Sequence, residues 1–454
     1  MKLIETLKNI WKITELKDRI ILTLGLLLVY RFGAQVVLPG IDSSKLSILG
    51  DSQAGGLLDL LNMFTGGGFA NASVFALGIM PYISASIVVQ LMGIAIPYLQ
   101  KLQKEGESGR RKINQITRWL TIVICLVQSP AYLTSIPALS GANSMSALLY
   151  PGFSPTLFTF SSIIILVTGC IFAMWLGEKI TDKGIGNGIS LLIMVGIIAT
   201  MPQAFIQEYV SRVTESNGGL IMILIELVIW FVIILACVML VMAVRKIAVQ
   251  YARRTQSGGY EKNVFGSRQY IPLKLNASGV MPIIFAQAIM FVPGLIGGTN
   301  MLKDTGVGQF LQAEFGGNIF GFWYNLVFAL LIIVFTYFYT AITVPTNKIA
   351  DDLKRSGGFI PGIRPGSETS EYLDKIMSQI TLPGSIFLAL IAVFPAFIVK
   401  LMNVQSNWAI FFGGTSLLIM VGVAIDTMQQ VNSYLLNKHY DGLMKTGKNR
   451  KAIA

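Results

Sequence analysis

The chain has 454 residues, of which 53% are hydrophobic and only 13% are charged, about half the charged fraction typical of a soluble domain. Together with a mean hydropathy of +0.65, this composition excludes a water-soluble protein. At roughly 20 residues per transmembrane helix plus connecting loops, the length allows about ten membrane spans.

The positions of cysteine and histidine exclude several kinds of site. Each of the three cysteines lies inside an apolar run, so neither a disulfide framework nor a CxxC metal site is expected. The single histidine, His439, lies in the polar tail, which excludes histidine-dependent catalysis and histidine-rich metal sites inside the membrane. The sequence also has no HExxH, GxSxG or Walker-type motif. We therefore expect no metal, no cofactor and no enzymatic activity.

Apolar stretches of about 18 or more residues predict ten membrane spans. The amphipathic N-terminus, residues 1–19, precedes them and does not have the pattern of a cleavable signal peptide. The predicted spans are 20–39, 72–97, 118–138, 156–177, 188–208, 219–244, 276–298, 318–343, 382–402 and 408–431. An even number of spans places both termini on the same side of the membrane.

The basic residues predict which side that is. The two termini and every second loop carry 30 of the 35 Lys and Arg and 14 acidic residues, a net charge of +16. By the positive-inside rule these segments are cytoplasmic. The charge is explained by topology and attraction to anionic lipid, or by a docking surface for an acidic or nucleic-acid-rich partner. Two cytoplasmic loops, about 245–275 and 344–381, are long enough to carry function.

The segment of residues 55–73, GGLLDLLNMFTGGGFANAS, cannot cross the membrane. It predicts a helix over Leu57–Phe64, which covers about 12 Å of a hydrocarbon core of about 30 Å. Gly66, Gly67 and Gly68 then predict a hinge. A short apolar helix of this kind is either buried in protein or lies on the membrane surface. The sequence pattern by itself fits both.

Proline and asparagine mark the starts of several spans. Pro81, inside the second predicted span, is expected to kink that helix. Asn187 is expected to cap the fifth span. An MPxI run occurs in the second and the seventh spans, at residues 80–83 and 281–284, which hints at two related five-helix halves.

Several polar side chains fall within or at the ends of the spans: Arg31, Gln90, Gln128, Glu226, Asn276 and Asp426. Proton-coupled transport is one explanation, and interhelical hydrogen bonding is the other. Two acids without histidine or lysine partners make a poor proton relay, so we favour hydrogen bonding. A secondary transporter of small solutes remains the alternative function, because broken helices and a repeated half also occur in that class.

Several longer motifs closely resemble the SecY family of protein-translocation channels, and they run from the first span to the last. The motifs are LNMFTGGG, FALGIMPYISASIVVQL, KGIGNGISLLI, IPLKLNASGVMPIIFA, ADDLKRSGGFIPGIRPGSETSEYLDKI and FFGGTSLLIMV. The resemblance implies an all-α polytopic membrane protein whose ten transmembrane helices form two pseudo-symmetric five-helix halves around a central pore, closed by a short plug helix. The halves would be residues 20–210 and 219–431, followed by a basic cytoplasmic tail, residues 432–454.

The resemblance also assigns roles to individual residues. It places a ring of aliphatic side chains at the waist of the pore, formed by Ile79, Ile83, Ile193, Ile284 and Ile419. Such a constriction loses its water and so blocks ions without binding a passing chain strongly. The plug, about residues 55–68, would be formed by Leu57, Leu58, Leu60, Leu61, Asn62, Met63 and Phe64, with its hinge at the three glycines.

A lateral gate and a docking surface complete the roles that the resemblance implies. Gln90, Gln128 and Asn276 would form a polar cluster across the gate. Arg364, with Arg253, Arg254 and Arg268, would contact the SecA motor and the ribosome, including ribosomal RNA phosphates. Further expected partners are SecE-like and SecG-like small membrane subunits, signal peptides, unfolded preproteins and anionic lipids. The expected location is the cytoplasmic (inner) membrane of a bacterium, with multiple spans and both termini in the cytoplasm.

Overall fold

The computed structural model describes residue 11 and residues 13–43, 57–139, 145–151, 154–214, 219–251, 268–297, 305–317 and 319–450. The chain divides into two compact units. The first unit comprises Met1–Glu215, Gln405–Trp408 and Val423–Ala454, and the second comprises Ser216–Val404 and Ala409–Gly422. The final helix therefore contributes residues to both units.

Apolar runs form the helices of the first unit, and polar caps or prolines set where they begin. The helices are α1 (Thr14–Gly33), α2 (Leu57–Phe64), α3 (Met80–Ala95), α4 (Pro97–Lys104), α5 (Glu107–Leu139), α6 (Pro155–Lys183) and α7 (Gly188–Thr214). Pro97 and Pro155 occupy first-turn positions, where the missing N–H costs no helical hydrogen bond. The predicted cap of α7 is confirmed, because Asn187 Oδ1 accepts hydrogen bonds from the backbone N–H groups of Ile189 and Ser190.

The later helices and strands follow the same principles. They are α8 (Gly219–Met242), β1 (Val244–Tyr251), β2 (Arg268–Lys274), α9 (Met281–Gly297), α10 (Gly306–Leu311), α11 (Phe322–Thr343), α12 (Thr346–Arg355), β3 (Gly358–Phe359), α13 (Ser367–Met402), α14 (Ser406–Ala409) and α15 (Gly414–Arg450). A short π-helix, Gln312–Gly317, follows α10. Asn325, buried near the start of α11, donates hydrogen bonds to the carbonyl oxygens of Ile319 and Gly321 and so fixes the entry to that helix.

The helices account for all ten predicted apolar stretches. Within the described residues, α5, α6, α7, α8, α11 and α13 are long and apolar enough to cross a membrane by themselves. Two bent pairs raise the count to as many as eight: α3 with α4 at 102°, and α14 with its following turn against α15 at 43°. The remaining two stretches hold α1, whose first turns are charged, and α9, which has 17 residues. The protein is thus a helical membrane protein with multiple spans.

The expected kink at Pro81 is wrong. The second predicted span, 72–97, is helical only from Met80, and Pro81 lies in the first turn of α3. Proline is tolerated there because the first N–H groups of a helix have no intrahelical partner. The 16 residues of α3 cover about 24 Å. The preceding residues 65–79 form successive turns, and most of them are buried in protein, as non-helical backbone at membrane depth must be.

The two long loops predicted as cytoplasmic fold together, which the all-α prediction does not include. The loop predicted over 245–275 contributes β1 and β2, and the loop predicted over 344–381 contributes α12, β3 and the start of α13. The strands form one antiparallel sheet in the order β2-β1-β3. One core unites them, formed by Ile247, Val249, Leu273, Leu353, Ile360, Leu373 and Met377. We call residues 244–251, 268–274 and 346–377 the loop module.

A separate core in the first unit surrounds the chain that follows α2. It combines Phe69, Ala72, Ala76 and Leu77 with residues of α5 and α6 and of the segment that follows α1. Val37 pairs with Ser73 in an isolated β-bridge. The Tyr132 hydroxyl, on α5, donates a hydrogen bond of 2.7 Å to the carbonyl oxygen of Phe69. The chain after α2 is therefore anchored to α5, to α6 and to the segment that follows α1.

Candidate functional site

The short helix predicted over Leu57–Phe64 is present with those bounds. Leu60, Met63 and Phe64 are buried, whereas Leu61 and Asn62 are half-buried. The side chains of Leu57 and Leu58, and residues 55 and 56 of the predicted plug, lie outside the described part of the chain. The helix packs on α7, so of the two alternatives left by the sequence, burial in protein is the one observed.

The glycines predicted as a hinge form the C-terminal cap of α2. Gly66 N–H donates to the carbonyl of Met63 at 3.1 Å, and Gly67 N–H donates to that of Asn62 at 2.9 Å. This pair of bonds is the Schellman motif, which requires a left-handed residue just past the helix. Gly66 supplies it with φ +67°, and Gly67 follows with φ +89°. The conformational freedom of glycine is used here to end the helix, while the hinge itself stays a prediction.

The loop after this cap is closed by the side chains of α2 and its last turn. Asn62 Oδ1 accepts a hydrogen bond of 2.9 Å from Ala70 N–H, and Thr65 Oγ1 accepts one of 3.0 Å from Phe69 N–H. Asn62, which was predicted as part of the plug, therefore holds the turn that connects α2 to the rest of the chain.

The backbone of α7 approaches the end of α2 closely at Gly196. A Cβ atom at Gly196 would lie 2.5 Å from the Phe64 carbonyl oxygen and 3.3 Å from the Gly66 nitrogen. Only glycine fits such a contact between two backbones. Ile193, one of the predicted ring residues, is buried and lies one helical turn before Gly196. This contact places the predicted plug within one turn of a predicted ring residue.

Arg31 contacts the same end of α2 from another helix. Its Nη1 donates a hydrogen bond to the Gly66 carbonyl oxygen. A Cβ at Gly66 would lie 2.8 Å from that nitrogen and 3.0 Å from Gly196 Cα. Gly66 is thus enclosed between the Arg31 guanidinium of α1 and the backbone of α7.

The predicted ring residues divide between the two units. Ile79, Ile83 and Ile193 belong to the first unit, and Ile284 and Ile419 belong to the second. Ile79, Ile193 and Ile419 are buried, whereas Ile83 and Ile284 are half-buried. Their assembly into one ring stays a prediction.

One contact in the second unit relates its two ring residues. A Cβ at Gly422 would lie 3.3 Å from Val280 Cγ1. Ile419 precedes Gly422 by one turn of α15, and Ile284 follows Val280 by one turn of α9. Since the seventh and tenth predicted spans run in opposite directions, one turn along each helix leads to the same level. The two isoleucines are therefore expected to be neighbours.

The polar residues predicted for the lateral gate make local contacts. Gln90 Nε2 donates to Ser86 Oγ within α3 at 3.3 Å. Asn276 is buried and its Oδ1 accepts a hydrogen bond from Ser278 Oγ at 3.2 Å, while Gln128 is exposed. Gln90 and Gln128 lie on α3 and α5, which pack together. The polar cluster across a gate stays a prediction.

The loop module presents Arg364 to solvent. Its side chain is 88% exposed and lies 3.9 Å from Glu368, a separation that contributes little in water. The turn that carries it is fixed by left-handed glycines, Gly362 and Gly366, and by a 2.8 Å hydrogen bond from Thr369 Oγ1 to the Arg364 carbonyl oxygen. Arg268 begins β2, and Arg253 and Arg254 lie outside the described residues.

Sequence reasoning missed a buried ion pair at the end of α7. Arg212 and Glu208 are joined by a 2.7 Å contact and are almost fully buried. Glu208 Oε2 also accepts a 2.9 Å hydrogen bond from the Gln405 N–H, which ties the segment before α14 to α7. In the sequence, this pair could have been recognised from an acidic and a basic residue four positions apart in an apolar helix. The specific contacts of Arg31 and Gly196 were missed as well.

The chain is similar in sequence to bacterial translocase subunits. A family model described as SecY matches residues 73–428. The protein translocase subunit SecY of Escherichia coli strain K12 is 40% identical over 437 residues, which cover 95% of this chain and 94% of that protein. The subunit of the same name from Chlamydia trachomatis serovar D is 36% identical over 457 residues, covering 97% and 98% respectively.

The fold is also similar to those of solved channel structures. One, described as the structure of a protein-conducting channel, has a TM-score of 0.60 at 17% identity, with 91% of each chain covered. Sec61 in the canine ribosome–channel complex from the endoplasmic reticulum has a TM-score of 0.56, also at 17% identity and with the same coverage. At such low identity these likenesses concern the fold alone.

Proposed function

The chain belongs to the SecY family and is the channel subunit of a protein translocase, and we propose that α2 is the plug of its closed channel. The observation that carries the assignment of function is the identity of 40% over 95% of the chain to a translocase subunit. The contact of α2 with α7, one turn from Ile193, supports the role of α2 as the plug.

We further propose that Ile79, Ile83, Ile193, Ile284 and Ile419 form the ring that seals the pore around a passing chain. All five are branched and apolar, and such a constriction excludes water and ions without binding a peptide strongly. The two isoleucines of the second unit, each one turn from the contact between Gly422 and Val280, support this grouping.

Transmembrane segments and signal peptides leave the channel sideways in this proposal. Gln90, Gln128 and Asn276 line the lateral gate, which lies between the second and seventh spans, with the third and eighth spans nearby. Hydrogen bonds between polar side chains in membranes contribute about 1 kcal/mol or less, so an apolar segment can replace them. Unfolded preproteins instead pass across the membrane through the ring.

The protein performs no covalent chemistry in this proposal, and partners supply the driving force. Arg364 on the loop module is the main contact for a SecA motor and for the ribosome, with Arg253, Arg254 and Arg268 contributing further charge toward RNA phosphates. SecE-like and SecG-like subunits pack against the spans. The basic cytoplasmic face, which includes both termini, also attracts the anionic lipids of the bacterial inner membrane.

Ion conductance tests this function. In proteoliposomes, replacing both Ile83 and Ile284 with glycine should raise the resting ion flux while translocation of a preprotein continues. Replacing two lipid-exposed isoleucines, Ile164 and Ile221, with glycine is the matched control and should leave the flux unchanged. A secondary transporter of small solutes would lose activity instead of leaking. Loss of translocation without leak would therefore reject the proposed ring.

A further inference from the structure

Arg31 is a cation within a predicted membrane span, and such residues are costly unless they have a partner. It lies in the last turn of α1, is half-buried, and donates through Nη1 to the carbonyl oxygen of Gly66. A hydrogen bond from a charged donor is about twice as strong as a neutral one. A favourable interaction of α1 is thus directed at one backbone atom at the end of α2.

The Gly66 carbonyl is oriented for this bond by the cap of α2. The Schellman pair uses the N–H groups of Gly66 and Gly67, and the left-handed conformation of Gly66 turns its carbonyl away from the helix. Thr65 Oγ1, which accepts from Phe69 N–H, fixes the chain on the far side of this cap. The acceptor therefore moves only if the end of α2 moves.

The backbone of α7 also lies close to this glycine. Gly196 Cα lies 3.0 Å from the position that a Cβ at Gly66 would take, and the Phe64 carbonyl oxygen lies 2.5 Å from the position that a Cβ at Gly196 would take, so the end of α2 packs on α7 with no side chain between the two glycines. In this packed position Arg31 reaches the Gly66 carbonyl oxygen. Displacement of α2 from α7 lengthens or breaks the bond to Arg31.

We propose that Arg31 is a positioning residue that latches the plug in its closed position through the Gly66 carbonyl. The proposal rests on the proposed role of α2 as the plug. Arg31 does not contact the translocating chain in this mechanism. It determines how often the plug is displaced from its closed position when no substrate is present. Because the acceptor is a main-chain atom, the latch works irrespective of the side chains of the plug.

Substitution of Arg31 tests the latch. In proteoliposomes without substrate, Arg31→Met should raise the resting ion flux about tenfold or more, since loss of a hydrogen bond to a charged group shifts an equilibrium by one to two powers of ten. Arg31→Lys, which keeps the charge and donor groups, should restore most of the seal. Arg19→Met is the matched control, because Arg19 lies on the same helix and pairs with Glu15 at 3.5 Å, away from the plug.

A second measurement separates a latch from a merely structural role. Met63 is buried in α2, and a cysteine that replaces it reports whether α2 is displaced. Arg31→Met should increase the rate at which a thiol reagent labels this cysteine. The melting temperature of the detergent-solubilised protein should stay close to that of the parent. If Arg31→Met does not fold, the resting ion fluxes of Arg31→Gln and Arg31→Lys are compared instead. The neutral glutamine variant should leak more than the charged lysine variant. Equal fluxes would overturn the latch.

The outcomes also separate the latch from the channel itself. If the glycine variants of Ile83 and Ile284 leak and folded Arg31→Met stays as tight as Arg19→Met, the latch is wrong and the channel assignment stands. If none of these variants leaks, the proposed closure of the pore by ring and plug fails, and the latch fails with it.

Discussion

Gly196→Ala should make the resting channel leak, because the new methyl group occupies the space where α2 meets α7. The Cβ would lie 2.5 Å from the Phe64 carbonyl oxygen, whereas ordinary van der Waals contact begins at 3.4 Å, so the two backbones must separate by about 0.9 Å. Overpacking of this kind costs about 1–3 kcal/mol. At 1.4 kcal/mol per power of ten, this shifts the equilibrium of the plug toward displacement by about 5- to 150-fold.

The short helix is the partner that should move. The helix α7 has 27 residues and is tied at its far end by the hydrogen bond from the Gln405 N–H to Glu208 Oε2, whereas α2 has eight residues. Displacing α2 also weakens the bond from Arg31 to Gly66, which adds to the effect. The strain is thus released at the plug, and the spanning helix keeps its position.

Ion flux into proteoliposomes, with no preprotein present, is the assay. Gly25→Ala is the matched control, since Gly25 lies in α1, within a predicted span, and a Cβ there meets nothing within 4 Å. A folded Gly196→Ala protein that is as tight as Gly25→Ala would show that the contact between α2 and α7 does not determine the position of the plug.

Two further predictions concern docking and the lateral gate. Arg364→Glu should abolish stimulation of the motor ATPase. It should not change membrane insertion, since the side chain is 88% exposed. Arg111→Glu is the control, because Arg111 is also exposed and also pairs with a glutamate four residues away, and this variant should retain most of the stimulation. Unchanged stimulation by Arg364→Glu would reject the docking site. Cysteines that replace Gln90 and Asn276 should form a crosslink that blocks translocation. A cysteine at Val88, which lies on another face of α3, should crosslink to position 276 much less. Equal crosslinking from positions 88 and 90 would argue against the gate.

Local sequence determined most of the secondary structure. Each predicted apolar stretch contains a helix, because a run of about 20 apolar residues in lipid must satisfy its backbone hydrogen bonds within itself. The helix Leu57–Phe64 and the cap at Asn187 followed from short-range patterns and were predicted at the correct positions. The motifs that resemble the SecY family begin at residue 61, and all but the first lie within residues 73–428, the range that the family model matches.

Expectations failed where distant segments decide the local conformation. Pro81 was expected to kink a span, but the turns before it pack on α5, α6 and the segment that follows α1, and the helix begins only at Met80. The pairing of β3 with β1 was not predicted, because these two strands come from different loops and meet only when the loops share a core.

An arginine in the first predicted span and glycines after a short apolar helix can be recognised from the sequence alone. That Arg31, Gly66 and Gly196 meet depends on how the chain packs, since these residues come from α1, the end of α2 and α7. The length of an apolar run specifies which segments enter the membrane, and this length depends only on residues that are neighbours in the sequence. A hydrogen bond to one carbonyl oxygen, or a glycine that admits another backbone, depends on how the helices pack, and no local pattern encodes that.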